Sequence, residues 1–209
     1  MRKDILTQDV QATLTPDVVL DQLKAGNTRY TENNLTQADH DELRAASVSG
    51  QAPKAIVLSC IDSRVVVEEV FDQALGDVFV ARVAGNFANT DIVASMEYAC
   101  KVAGSKLIVV LGHEGCGAVK AACDGVQLGN ITSLLASIQP AVDSVKPTVD
   151  QPHNSQNLEF VNKSIRENVT YTIGQIRSMS PILAELESAG DIAIKGGVYQ
   201  LATGAVKWI

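Results

Sequence analysis

Three uninterrupted apolar runs of strand length constrain the fold of this chain more than any other feature. The runs are KAIVLSC (54–60), DVFVARVAG (77–85) and KLIVVLGH (106–113). They are rich in Val and Ile and show little alternation, which is typical of parallel strands covered on both faces. Helical patterns lie between and around them, so the sequence predicts an α/β fold with a central, mostly parallel sheet and right-handed crossovers.

The predicted helices flank these runs on both sides in the sequence. Residues 15–33 begin with Thr15 as an N-cap and a proline in the first turn. Residues 154–179 repeat apolar side chains every three or four positions. The intervening segment 139–154 contains three prolines and is predicted to be a loop, and the C-terminal residues 191–209 are predicted to form two short strands around a Thr-Gly turn.

Charge and hydropathy exclude several classes of partner. The net charge of −7 and the pI of about 4.9 provide no basic surface for nucleic acid or for an anionic membrane. No apolar stretch at the N-terminus has the length of a signal peptide, and no later stretch has the length of a membrane span. We therefore expect a cytoplasmic protein, or a periplasmic one if a leader was removed.

Two of the apolar runs end on side chains that bind metals. Cys60 ends the first, and His113 ends the third with Cys116 three residues later across a glycine turn. Because the carboxyl ends of neighbouring parallel strands meet at one edge of the sheet, these groups are expected to lie close together. Two thiolates and an imidazole are typical zinc ligands, and three protein ligands leave the fourth tetrahedral position for water. Cys100 and Cys123 lie in helical patterns and receive no role.

The residues after Cys60 leave two arrangements open. Asp62 shares a face with Cys60 in an extended segment, so its carboxylate could take the fourth position and close a structural site. Arg64 could instead bind Asp62 bidentately, and the metal would then keep its water. Thiol catalysis by Cys60 is disfavoured, because no glycine pair precedes Arg64 to form the loop of a cysteine phosphatase and no suitable histidine context is present.

These motifs resemble those of the β-class carbonic anhydrases. That family binds zinc through a Cys-x-Asp-x-Arg strand end and a His-x-x-Cys turn, here CIDSR (60–64) and HEGCG (113–117). The resemblance extends over most of the chain from Gly26 onwards. It includes the segments FDQALGDVFVARVAGN (71–86), SMEYA (95–99), GAVKAA (117–122) and GGVYQLATGAVKW (196–208).

The resemblance implies zinc-dependent, reversible hydration of CO2 to bicarbonate and a proton by zinc-bound hydroxide. It implies Cys60, His113 and Cys116 as zinc ligands and Asp62 and Arg64 as the catalytic pair beside the metal. It also implies a homo-oligomer, either a dimer or a tetramer, in which the N-terminal helix reaches onto the partner subunit.

The resemblance further implies an open site that bicarbonate does not gate. Members gated by bicarbonate have a tryptophan three residues before the first cysteine, whereas this sequence has Val57. Gln51 matches a glutamine that binds substrate in open-site members, across the dimer interface. Phe79 and Ala84 match the apolar CO2 pocket, and Arg82 matches an arginine shared by both kinds of member.

Two other functions fit the same residues. One is hydrolysis of a related heterocumulene such as carbonyl sulfide or carbon disulfide, and the other is a zinc-stabilised module that Asp62 closes permanently. Whichever function applies, the chain is expected to form one domain over 1–209. Its parts are a helical arm (1–35), a zinc-site core (54–124) and a C-terminal part of helices and strands (154–209).

Overall fold

The computed structural model describes residues 1–209 and contains one five-stranded sheet with helices on both faces. The strand order is β2-β1-β3-β4-β5, and only the last pair is antiparallel. The strands are β1 (Ala55–Ser59), β2 (Val78–Arg82), β3 (Leu107–His113), β4 (Ala193–Tyr199) and β5 (Val206–Trp208). The predicted α/β class with a mostly parallel sheet is thus confirmed.

Ten α-helices surround the sheet. They are α1 (Gln8–Thr13), α2 (Pro16–Thr31), α3 (His40–Ser47), α4 (Val67–Val70), α5 (Thr90–Glu97), α6 (Gly117–Cys123), α7 (Gly129–Ala136), α8 (Gln139–Val145), α9 (Leu158–Met179) and α10 (Pro181–Ser188). A π-helical turn (Tyr98–Val102) extends α5, and a 3-10 turn (Lys146–Thr148) extends α8. No helix is both long and apolar enough to cross a lipid bilayer.

The central strands β1 and β3 are buried along their whole length, as the continuous apolar runs predict. Strand β2 differs, because it lies at the edge of the sheet and its residues are half-buried or exposed. The prediction that this run is covered on both faces is therefore wrong for the single chain. Residues of β2 line an open apolar groove beside α5, and the apolar sequence of the strand does not reveal which of its faces other elements cover.

Helix α2 begins as predicted, with the Thr15 hydroxyl accepting a hydrogen bond from the Val18 N–H. Its apolar side packs on the chain's own sheet, where Val19 and Leu23 contact the cluster that includes Val57. Packing of this helix on a partner subunit stays a prediction, and it would have to use another side of the helix.

Helix α9 crosses the opposite face of the sheet at close range. Glycines allow this approach, since a Cβ added at Gly112 or Gly196 would lie 2.7 Å from a methyl group of Val169. The helix begins at Leu158, after the side chain of Asn157 caps its first turn.

The proline-containing segment 139–154 is not the loop that its composition predicts, because its first half forms α8. Pro140 lies in the first turn, where its missing N–H costs nothing. Ala141, Val142 and Val145 are buried and hold the helix against α6 and α9.

Candidate metal centre

The carboxyl ends of β1 and β3 bring three ligating side chains together. Register pairs Ser59 with Leu111, so Cys60 and His113, which follow these residues, reach the same edge of the sheet. Cys116 lies at the N-cap of α6 after the glycine turn. One ligand atom from each of Cys60, His113 and Cys116 lies within 4.8 Å of the others, and all three residues are buried. The predicted ligand set is therefore assembled in a single chain.

The geometry of the three groups fits a tetrahedral metal. The two sulfurs are 4.0 Å apart, close to the roughly 3.8 Å expected for thiolates at about 2.3 Å from one zinc ion. The Nδ1–H of His113 donates to the Glu114 carbonyl at 2.9 Å, which leaves the Nε2 lone pair free to coordinate. Nε2 is buried without a hydrogen-bond partner, so its lone pair is available to a metal ion.

The pKa values of Cys60 and Cys116 are shifted in opposite directions, as expected for two thiols that share a site. A hydrogen bond from the Cys116 thiol lowers the pKa of Cys60 to about 4, although burial opposes this shift. The same hydrogen bond and burial raise the pKa of Cys116. Two negative sulfurs at this distance repel each other, so both ionise only with a cation between them. Zinc(II), the metal of the β-carbonic anhydrases, satisfies that condition.

The Cys60 sulfur also has a backbone partner that sequence reasoning missed. The N–H of Gly85 donates to Cys60 Sγ at 3.3 Å, and the Nδ2 of Asn168 donates to the Gly85 carbonyl at 2.8 Å. Gly85 adopts a φ of +80°, a conformation that favours glycine. The dipeptide Gly85-Asn86 at the end of the second apolar run indicates a turn. The contact of Gly85 with Cys60, however, depends on tertiary structure.

Asp62 is bound by Arg64. The guanidinium donates to both carboxylate oxygens, at 2.9 Å from Nε and 2.7 Å from Nη2, and the Arg64 N–H donates a third hydrogen bond at 3.0 Å. These contacts hold the pKa of Asp62 well below its usual range. Asp62 Oδ2 is 3.8 Å from His113 Nε2, so the carboxylate lies beside the ligand cluster. Arg64 makes two hydrogen bonds to Oδ1 and one to Oδ2, which leaves Oδ2 with an acceptor position that Arg64 does not use.

Arg82 fixes the loop that carries Asp62. Its guanidinium donates to the backbone carbonyls of Cys60 at 2.9 Å and Asp62 at 3.1 Å, and also to that of Val65. Because all three acceptors belong to the loop after β1, Arg82 sets the position of the Asp62–Arg64 pair. It supports the site without touching the ligand atoms.

The three predicted substrate-binding residues do not lie together in one chain. Ala84 precedes Gly85, whose N–H donates to Cys60 Sγ. Gln51 is exposed at the amino end of β1, the opposite end from Cys60. Phe79 lies on the edge strand β2, where it pairs with Ile56 of β1, and it packs edge-on against Tyr98 at 6.3 Å. Their role in substrate binding stays a prediction.

Comparisons with known proteins agree with this geometry. The family model described as carbonic anhydrase matches residues 55–206. The carbonic anhydrase of Mycolicibacterium smegmatis is 38% identical over 186 residues, which cover 88% of this chain and 89% of the relative.

Two solved structures share the fold. A Coccomyxa β-carbonic anhydrase in complex with acetazolamide is 25% identical, with a TM-score of 0.70, and the match covers 91% of this chain and 81% of that one. One of two tetrameric β-carbonic anhydrases from Sordaria macrospora is 22% identical, with a TM-score of 0.72 and coverage of 92% and 95%. The chain therefore belongs to the carbonic anhydrase family and has the fold of its β class.

Proposed function

We propose that this chain catalyses the zinc-dependent, reversible hydration of CO2 to bicarbonate and a proton through an open site that bicarbonate does not gate. One observation carries the proposal: Asp62 is bound by Arg64 and not by the ligand cluster. A carboxylate held in this way leaves three protein ligands and an open coordination position. Val57, at the position of the tryptophan of gated members, supports the same conclusion.

Zinc bound by these three residues would lower the pKa of coordinated water and so supply a nucleophile near neutral pH. Asp62 provides the acceptor beside it, since its carboxylate stays ionised and its orientation is fixed by Arg64. A fixed acceptor next to the reacting oxygen orients the nucleophile towards CO2. Ala84, the neighbour of Gly85 in the chain, would contribute a small apolar surface, which suits a substrate without polar hydrogens.

The substrate pocket is completed by a second copy of the chain in this proposal. Gln51 and Phe79 lie away from the cluster of their own chain, so they can bind its substrate only across an interface. An apolar groove on the half-exposed strand β2 supports such an interface, and its lining includes Phe79 and the 55%-exposed Tyr98. The tetrameric relatives from Sordaria macrospora also support a homo-oligomer, a dimer or a tetramer.

Stopped-flow CO2 hydration, with zinc content determined on the same sample, tests the open site. We expect rapid turnover at both near-neutral and alkaline pH, because Arg64 already holds Asp62 away from the metal position. Asp62→Asn should keep zinc and lower kcat by about 10²–10⁴-fold, the usual contribution of a positioned proton acceptor. Turnover only at alkaline pH would contradict the open site, and full activity of Asp62→Asn would contradict the role of Asp62.

Mixing two inactive variants tests the shared pocket. In a dimer of Cys60→Ser with Gln51→Ala, one site has lost both residues and the other has kept both. A random mixture contains about one half mixed dimers, so about a quarter of wild-type activity should return. No recovery after subunit exchange would show that Gln51 does not act across the interface.

A further inference from the structure

A second polar site lies at the opposite end of the sheet from the metal cluster. A cavity of about 890 Å³ opens at the amino ends of β1 and β2, beneath α2. Its charged lining includes Arg2, Arg29, Lys54, Asp72 and Asp77. The exposed Glu68 and Glu69 also line it. We call it the amine cavity, because Lys54 contributes its only amino group.

The two aspartates of the cavity lining already have their partners. Asp77, whose side chain is 1% exposed, accepts from both Nη atoms of Arg2 at 2.5 and 2.7 Å and from the Ala74 N–H at 2.9 Å. Asp72 accepts from Arg29 Nε at 2.5 Å and from the N–H and hydroxyl of Thr36. Each aspartate is thus neutralised by its own guanidinium.

Lys54 is the remaining cation. The residue is 9% exposed and its backbone N–H donates to the Asp77 carbonyl at 2.9 Å, but no hydrogen bond or ion pair engages its amino group. Burial is the largest factor that lowers the pKa of Lys54, Asp77 opposes it, and Arg2 and Arg29 lower it further. Burial of most of the side chain and the two nearby guanidinium groups therefore let this amine lose its proton more readily than a solvated lysine does.

We propose that Lys54 is a carbamylation site, at which the neutral amine adds CO2 reversibly. The nitrogen lone pair forms the N–C bond, one C=O electron pair moves onto oxygen, and the nitrogen releases one proton to solvent water. The step changes no oxidation state and needs no reactant besides CO2. The amino group lines an open cavity and makes no hydrogen bond or ion pair, so its lone pair is more available as a nucleophile than that of a solvated lysine.

The cavity wall also offers partners for the product. A carbamate has two acceptor oxygens and one N–H donor. Arg29 uses only its Nε on Asp72, so its two Nη groups are free to donate. The Oε1 of Gln73, another lining residue, is buried without a hydrogen-bond partner and could accept the N–H. Because both residues line the same cavity as Lys54, they are the candidate partners of a carbamate at this position.

The inference rests on the proposed function only in choosing CO2 as the molecule that this protein meets. The addition needs dissolved CO2 and not turnover, because an equilibrated bicarbonate solution contains both forms. Failure of hydration activity would leave the carbamate measurement unaffected, so failures of the two proposals are distinguishable.

The test is equilibration of the purified zinc protein with ¹³C-bicarbonate, followed by alkylative trapping of carbamates and peptide mass mapping. We expect label on the peptide that contains Lys54, at an occupancy several times that of the exposed Lys101 and Lys207. The exposed α-amino group of Met1 also reacts with CO2, and mapping separates it from Lys54.

Lys54→Arg keeps a long basic side chain but removes the nucleophile, so it should abolish only the label at this position and leave CO2 hydration unchanged. Absence of label on Lys54 in the wild-type chain, or an occupancy no higher than that of Lys101, would overturn the proposal. Because the wild-type chain alone decides between these outcomes, a variant that folds poorly does not obscure the result.

Discussion

The two ends of the parallel sheet use the same aspartate–arginine chemistry for different purposes. At the carboxyl ends, Arg64 binds Asp62 beside three converging ligand atoms, and the guanidinium is 55% exposed. At the amino ends, Arg2 binds the fully buried Asp77, and no ligand cluster lies nearby. The first pair holds a carboxylate beside the candidate metal centre, whereas the second neutralises a buried charge. An ion pair therefore acquires a role from its neighbours and not from its own geometry.

The largest expected effect is a loss of zinc affinity, and it should occur only for changes at the carboxyl ends of the strands. Cys60→Ser should lower zinc affinity by more than about 100-fold, because changes outside the ligand set alone cost about 10–100-fold. Cys100→Ser is the matched control, since this thiol is also buried but lies outside the cluster. Zinc retention against a graded series of chelator concentrations measures both, and equal losses would remove Cys60 from the ligand set.

A smaller effect should appear at the amino ends as a loss of stability alone. Asp77→Asn leaves Arg2 without its buried partner and should lower the free energy of unfolding by about 2–3 kcal/mol. Urea denaturation measures this change. Zinc content and CO2 hydration per folded molecule should stay at wild-type values. A loss of activity without a loss of stability would mean that the two ends are coupled.

The smallest expected effect is the acid dependence of Asp72. Burial alone would raise the pKa of Asp72, but hydrogen bonds from Thr36 and Arg29 outweigh burial and lower it. A carboxyl whose pKa is lowered by folding stabilises the protein fully above its unfolded pKa of about 3.9, and loses this contribution as the pH falls below that value.

The stability difference between wild type and Asp72→Asn should therefore be constant from about pH 8 to 5 and shrink below about pH 4. Asp41→Asn breaks an exposed pair with Arg44 and should cost less than about 0.5 kcal/mol. Urea denaturation across this pH range compares the two variants. A difference for Asp72→Asn that grows on acidification would contradict the assigned direction.

Local patterns predicted the strands, the main helices and the ligand set. The runs that became β1 and β3 needed only their composition, and Cys60, His113 and Cys116 followed from where those runs end. Local pattern failed where burial depended on distant elements. The exposed edge of β2 and the helix that begins at Gln139 both depend on which neighbours pack against them.

The sequence alone was enough to identify the groups that could bind a metal. Two strand ends that carry thiol and imidazole groups favour a soft metal ion with tetrahedral coordination. Folding was needed to turn Asp62 towards Arg64, and to bring Gly85 and Asn168 to the support of the Cys60 sulfur. It also left Lys54 without a partner after Arg2 had taken Asp77. The reason is physical: residue type sets what a group can bind, whereas competition among groups brought together by folding sets what it does bind.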